Sequence, residues 1–303
     1  MSGLVAAVNA QTLVDAVGLG AIFALMAVGI GHVFGVLRLV NFAYGQLVMA
    51  GAYALAFTAG LPLVVRLAAC LAVVLALTVA MERAVFRRLR LASPAVMLVT
   101  TFAVAFLLQA VALILDVRDG TIGEAASVGR LNQAVSLGGL DVRRITLVAI
   151  AVAALALGSL ALLLTRTTLG LHMRAAAADF QTARLLGVKA DVVIGFAVLL
   201  SGVIAAVVAV ILSIRTPLVT PSFALKETIV VLVGVVVGGL DRLWTATLGG
   251  FAIGFATGVI NGALPTEHTV FLPSAVFALV ILVLLLRPGG VFAPSRTALV
   301  ERV

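Results

Sequence analysis

Charge is scarce in this sequence. Asp, Glu, Lys and Arg make up 11% of 303 residues, hydrophobic residues 63%, and the mean hydropathy is +1.29. That excludes an ordinary soluble domain and indicates a polytopic membrane protein. Cysteine occurs once, as Cys70 in an apolar run. It can form no intrachain disulfide and reads as a small packing residue rather than a reactive thiol. No GxxxxGK[ST] loop exists to cradle nucleotide phosphates, and no HExxH exists to hold zinc. The three histidines, His32, His172 and His268, are scattered. The chain therefore cannot hydrolyse ATP by a P-loop, and no metal site is legible. No Lys or Arg precedes Arg38, so the first apolar run lacks the basic start of a secretory signal and is expected to remain in the protein.

What the chain has instead is long apolar runs, at Thr12–Leu37, Phe42–Ala59, Leu63–Met81, Ala95–Leu115, Ile145–Leu164, Val192–Ile214, Thr228–Leu240, Leu243–Leu264 and Thr269–Leu286. About 20 apolar residues cross a bilayer as helix. The exception is Thr228–Leu240, about 20 Å of helix against a hydrocarbon core of about 30 Å. It can cross only if Pro217–Glu227 enters the protein as broken helix, which is tolerated where irregular backbone is buried or lines a cavity. The expected fold is therefore an all-α polytopic membrane protein of about 8–9 transmembrane helices, forming one domain over 1–303, with a broken or re-entrant segment near 217–240.

The formal charge of +8 would suggest nucleic acid as partner of a soluble protein. Here the basic residues occupy short loops between spans, which is a signature of orientation, so no nucleic-acid binding is expected. The loops 82–93 and 166–191 are separated by two crossings and share a face. With 13 of the 20 Lys and Arg on that face, it is the cytoplasmic one, the N-terminus lies outside and the C-terminus inside. The Gly-rich segment 116–144, which mixes four Arg with Asp116, Asp119, Glu124 and Asp141, reads as the outer loop. Gly254, Gly258 and Gly262 recur every four residues, a stripe that permits close helix contact.

The loop 166–191 reads RTTLGLHMRAAAADFQTARLLGVKAD. Asp179 can cap a turn beginning at Phe180, Ala183 and Leu186 fall on one stripe, and Gly187 sits where a left-handed C-cap belongs. A short capped basic helix of this kind suits either the membrane surface or a docking partner. Inside the spans, polar Asn41, Tyr44, Gln46, Thr100, Thr101, Gln109 and Asn261 interrupt the apolar chain. Such residues face a protein interior or a path, and they are candidates for contact with a small amphiphile. Each could equally bond a neighbouring helix, and Asn41 could mark a tight turn.

The run from Gly170 to Gly195 resembles the cytoplasmic loop of permease subunits from branched-chain amino-acid ABC importers, the LivH/LivM type. The residues that carry it are Gly170, Arg174, Ala175, Ala177, Asp179, Ala183, Leu185, Leu186, Gly187 and Asp191. A second block is similar at Arg38, Asn41 to Ala43, Gly45 and Gly51 to Tyr53. Further matches at Glu82 to Ala84, Thr101 with Gln109, Gly238 to Gly239, Gly249 to Gly250 and Arg287 to Gly289 cover most of the chain in order. Tyr44 and Gln46 stand where many members have His and an acid, which bears on the substrate. Asp241 and Arg242 replace the usual Gly-Ser, which bears on gating.

The resemblance implies an H-type permease subunit that is not itself an enzyme. It binds no cofactor, and ATP and Mg are used by two partner ATPases. It also implies a second permease subunit, of M type, a solute-binding protein on the outer face, and the bacterial inner membrane. Arg174, Asp179, Ala183, Leu186 and Gly187 would then form the element that couples to the ATPase. The expected cargo is a branched-chain or other hydrophobic amino acid, with urea, amides or aromatic acids on the same architecture as the alternative. An ion-coupled secondary transporter would need acids in the central spans, which are absent. An intramembrane enzyme would need a base beside Ser201, and none is legible.

Overall fold

The protein is described from a computed structural model, over residues 9–37, 41–89, 92–119, 133–137, 140–178, 180–216, 218–239 and 243–287. Eleven α-helices of six residues or more, one hairpin and a 3-10 turn, Thr266–Phe271, account for most of these residues. They are α1 (Ala10–Leu37), α2 (Tyr44–Phe57), α3 (Leu63–Met81), α4 (Pro94–Asp119), β1 (Ala134–Leu137), β2 (Leu140–Arg143), α5 (Arg144–Arg166), α6 (Thr168–Ala178), α7 (Phe180–Leu185), α8 (Ala190–Arg215), α9 (Leu225–Gly238), α10 (Leu243–Ala263) and α11 (Leu272–Leu286). A π-helical turn, Glu82–Phe86, prolongs α3 towards Leu89. Prolines stand at helix starts, where a missing amide costs nothing: Pro62 before α3, Pro94 opening α4, and Pro273 in the first turn of α11.

Among the described residues, seven helices are long and apolar enough to cross a membrane. The remaining two apolar helices, α2 and α9, have 14 residues each, about 21 Å of helix, too short for the hydrocarbon core. The sequence flagged only the second. The run Phe42–Ala59, read there as a full crossing, yields a 14-residue half-helix instead, because Asn41 to Ala43 form a turn and Thr58 to Gly60 another. The segment read as the outer loop carries a two-stranded antiparallel hairpin, in register Ala134↔Arg143 to Leu137↔Leu140. Its turn at Gly138–Gly139, and Gly120, Gly123 and Gly129, lie outside the described residues.

The order of lengths repeats. A long helix, an irregular link, a half-helix and a third helix occur as α1, α2, α3 and again as α8, α9, α10. Both links end on similar residues, Asn41-Phe42-Ala43 before α2 and Ser222-Phe223-Ala224 before α9. The first helices of the two sets run antiparallel, with Ser201 beside Gly29 and the end of α8 at Arg215 near Asp15 at the start of α1, so the two sets are inverted relative to one another. They also interlock, because α10 packs along α1 while α3 packs along α8.

The α1–α10 seam explains the glycine stripe. A methyl added to Gly254 would lie 2.8 Å from Gly20 Cα and Phe23 Cβ, and one on Gly258 would lie 2.8 Å from Ala16 Cβ. Gly250 faces Ala27, and Gly262 faces Thr12. Backbones at this distance leave no room for side chains, and dense van der Waals contact replaces them. The stripe that α3 buries, Arg66, Cys70, Val74 and Thr78, has the same four-residue spacing; Cys70 and Thr78 meet α8 at Ala206 and Gly202, and Arg66 donates to the Leu55 carbonyl of α2. By contrast α4, α5 and α11 are peripheral and expose large apolar side chains such as Leu107, Ile114, Leu155 and Leu285.

Candidate functional site

Two places concentrate features that packing alone does not require. The first is the junction where α2 and α9 begin. A methyl on Gly45 would lie 3.0 Å from Thr228 Cβ and 3.1 Å from the Ala224 carbonyl oxygen, so the first turns of the two half-helices touch almost backbone to backbone. Ala224, immediately before α9, is the one non-glycine residue with positive φ (61°) among the described residues. Its carbonyl accepts from the Thr228 hydroxyl at 2.6 Å. Neither half-helix has a side-chain cap. Around the start of α2 the Asn41 side-chain oxygen accepts from the Ala43 amide at 3.0 Å. Tyr44 is fully buried, its ring against Gly29, and Gln46 is 1% exposed. The Tyr44 hydroxyl and both amide atoms of Gln46 have no hydrogen-bond partner among the described residues.

Packing fixes the depth of this junction. The far end of α9 meets α10 where Gly238 lies against Thr245 and Gly249, close to the start of α10 at Leu243. Thr228 is ten residues earlier on α9, about 15 Å along the axis, or half of a hydrocarbon core of about 30 Å. The two N-termini therefore meet about half a hydrocarbon thickness from the level at which α10 starts. Towards the basic-loop face, Val33, Asn41, Leu47, Thr78, Met81, Phe86, Val198 and Ser201 close on a crevice with no room for a water. The Ser201 hydroxyl donates to the Gly29 carbonyl at 2.7 Å, so it joins α8 to α1 and is not a free nucleophile. Towards the opposite face, Arg215 at the end of α8 lies within electrostatic reach of Asp15, Arg143 and Glu227.

The remaining pathway candidates are dispersed. Thr100 and Thr101 on α4 turn their hydroxyls back onto their own helix, to Val96 O at 2.7 Å and Leu98 O at 3.0 Å. Gln109 is half-buried on the same helix, and Asn261 is exposed near the end of α10. An edge-on contact of Phe42 with Phe102, ring centres 5.6 Å apart, ties α4 to the junction. Sequence reasoning missed Gly29, Ala224 and Thr228. The Phe-Ala pair before each half-helix, at 42–43 and 223–224, was the available signal.

The second place is the loop 166–191. It contains two helices rather than one. The Thr167 hydroxyl accepts from the Gly170 amide at 3.0 Å and caps α6; α6 buries Gly170, Met173 and Ala176 against the bundle and leaves Arg174 exposed. It touches α1, α5 and α8. Asp179, the expected cap of α7, lies outside the described residues. The end of α7 is a Schellman turn, with Gly187 at φ 89° and the Val188 amide donating to Ala183 O at 3.0 Å. Ala183 is buried, whereas Leu185 and Leu186 are 88% and 81% exposed.

Seven spanning helices with two half-helices meeting at buried polar groups define a membrane transport protein. Residues 12–286 match the family described as branched-chain amino acid transport system, permease component, and the chain belongs to that family: it is a permease subunit of an ABC importer, not an ATPase. Among its relatives is the high-affinity branched-chain amino acid transport system permease protein BraD of Pseudomonas aeruginosa, 28% identical over 294 residues, covering 93% of this chain and 94% of BraD. The LivH permease proteins of Salmonella typhimurium and Escherichia coli are 26% and 27% identical over the same shares.

Proposed function

We propose that this subunit imports branched-chain or other hydrophobic amino acids across a bacterial inner membrane, with its N-terminus outside and C-terminus cytoplasmic. It works with a second permease subunit of M type, two ATP-binding subunits that use ATP and Mg, and a solute-binding protein on the outer face. The substrates named for BraD and LivH support the cargo. So does the character of the closed crevice beside the junction, where Asn41, Thr78 and Ser201 stand among Val33, Leu47 and Val198, a mixture that suits a small amphiphile. The excess of Lys and Arg in the loops 82–93 and 166–191 supports the orientation.

The observation that carries the coupling role is the pair of exposed leucines, Leu185 and Leu186, on a glycine-terminated helix in a basic loop. Two bare leucines side by side on an exposed loop support docking into a protein cleft. The loop is also placed to transmit movement, because α6 rests on α1 and α8, the first helices of both repeats. The test is ATP hydrolysis by the reconstituted complex. Leu186→Glu and Asp179→Ala should insert and bind the other permease subunit, yet lose stimulation by leucine-loaded binding protein. Stimulation equal to that of the wild type in both variants would remove the loop from the coupling role.

A further inference from the structure

We propose that the link before α9 and the exposed stripe of α9, from Ser222 through Lys226 to Val236, line a water-filled path that this subunit shares with the second permease subunit. The proposal rests on the import reading above and says along which face of the chain the solute passes.

Depth decides what a charged side chain can face. Lys226 stands twelve residues before Gly238, about 18 Å along α9 from the level at which α10 starts. From the other side, Gly51 packs against Ala209, six residues short of the end of α8 at Arg215, and Gly45 lies six residues deeper along α2. Thr228 touches Gly45, so Lys226 lies about 15 Å below the end of α8. The two distances together match a hydrocarbon core of about 30 Å and put Lys226 near its middle. Its four-carbon stem, about 6 Å long, reaches neither surface. Lys226 is nevertheless exposed, and among the described residues nothing bonds or pairs with it. Glu227 beside it lies within reach of Arg215, so that charge is met inside the chain. Arg66 on α3 is buried and donates to the Leu55 carbonyl. An ammonium group against lipid is costly, and ionisable residues at membrane depth face a protein interior or water. Lys226 does not face the interior of this chain, so it faces water.

The second observation is independent of the charge. Irregular backbone at membrane depth is tolerated only where it is buried in protein or lines a water-filled cavity. The link before α2 is closed in, with Asn41 and Ala43 buried. The link before α9 descends from Arg215 to Ala224 beside Gly45, and Leu218 and Ser222 are exposed along it. The hydroxyls of Thr220 and Ser222 stand 3.3 Å apart there. On α9, Lys226, Ile229, Val233 and Val236 continue the line at spacings of three and four residues, all exposed except the half-buried Val233. Hydroxyls, one cation and an apolar strip thus follow one another from the outer face inward. The other half-helix offers no such face, since α2 is buried from Tyr44 to Ala56 apart from Ala50. The stripe on α9 is open to the outside of this chain, so the opposite wall of the path comes from the second permease subunit.

The test is labelling of single cysteines in the full complex, reconstituted in a Cys70→Ser background, with the membrane-impermeant anion sulfonatoethyl methanethiosulfonate on both sides of the membrane. Ser222→Cys and Lys226→Cys are compared with Leu107→Cys and Leu155→Cys, which are exposed midway along the peripheral helices α4 and α5. The first pair should react about 100-fold faster than the second, the ratio expected for a charged group that meets water rather than lipid. Modification should also abolish the leucine uptake that each of the first pair retains. A rate at Lys226→Cys as low as that at Leu155→Cys sets this face against lipid or against the second subunit and overturns the proposal. Fast labelling that leaves uptake unchanged makes the cavity a dead end and overturns it too. Either result, with wild-type uptake of leucine intact, leaves the import reading standing; absence of leucine uptake by the wild type strikes that reading instead.

Discussion

Two residues hold backbone conformations that their neighbours do not explain. Gly187 has φ 89° and nothing within 4 Å of a built Cβ, so Gly187→Ala meets no clash and reports backbone strain alone, about 1 kcal/mol. Exchange of the Val188 amide, which closes the Schellman turn, should accelerate about fivefold; unchanged exchange would mean the turn does not depend on the glycine. Ala224 presents the reverse case. It is an alanine at φ 61°, and Ala224→Gly should stabilise the protein by about 0.5–1 kcal/mol, measured as a higher melting temperature. The turn at Gly187 was legible because glycine after a run of Ala and Leu is a local signal. Ala224 was not, since alanine carries no mark of the left-handed region into which tertiary packing forces it.

Among the elements, the long helices were legible because a span is defined by uninterrupted apolar composition, which the sequence displays directly. Depth is not displayed. The half-helix α9 could be suspected because Lys226, Glu227, Asp241 and Arg242 bracket it, whereas α2 has apolar chain on both sides and reads as a full crossing. The interlocked pairing of α10 with α1 and of α3 with α8 was likewise invisible, since every apolar face suits every other in lipid. The glycine stripe was legible as a packing face, and the structure supplies its partner. Gly254→Val and Gly258→Val should each lower stability by about 1–3 kcal/mol or more, because the added side chain meets backbone rather than a movable tip. Gly35→Ala and Gly158→Ala, which lie inside helices and meet nothing within 4 Å, should leave the melting temperature no lower. Equal tolerance at all four positions would dissolve the seam.

For the whole molecule, the inverted arrangement makes a prediction about sides. In a Cys70→Ser background, Gly60→Cys, in the turn between α2 and α3, should react with a membrane-impermeant maleimide in intact spheroplasts, and Thr168→Cys only after permeabilisation; the reverse pattern would invert the proposed orientation. Symmetry of the fold does not extend to its mechanics. The α1–α10 seam sets glycines against backbone at Gly254 and Gly258 and against Thr12 and Ala27 at its ends, whereas the α3–α8 seam is filled by the side chains of Cys70, Val74 and Thr78, with a single glycine, Gly202, against Thr78. The tighter of the two equivalent joints is therefore α1 with α10, and relative motion in an opening and closing cycle is expected between α3 and α8.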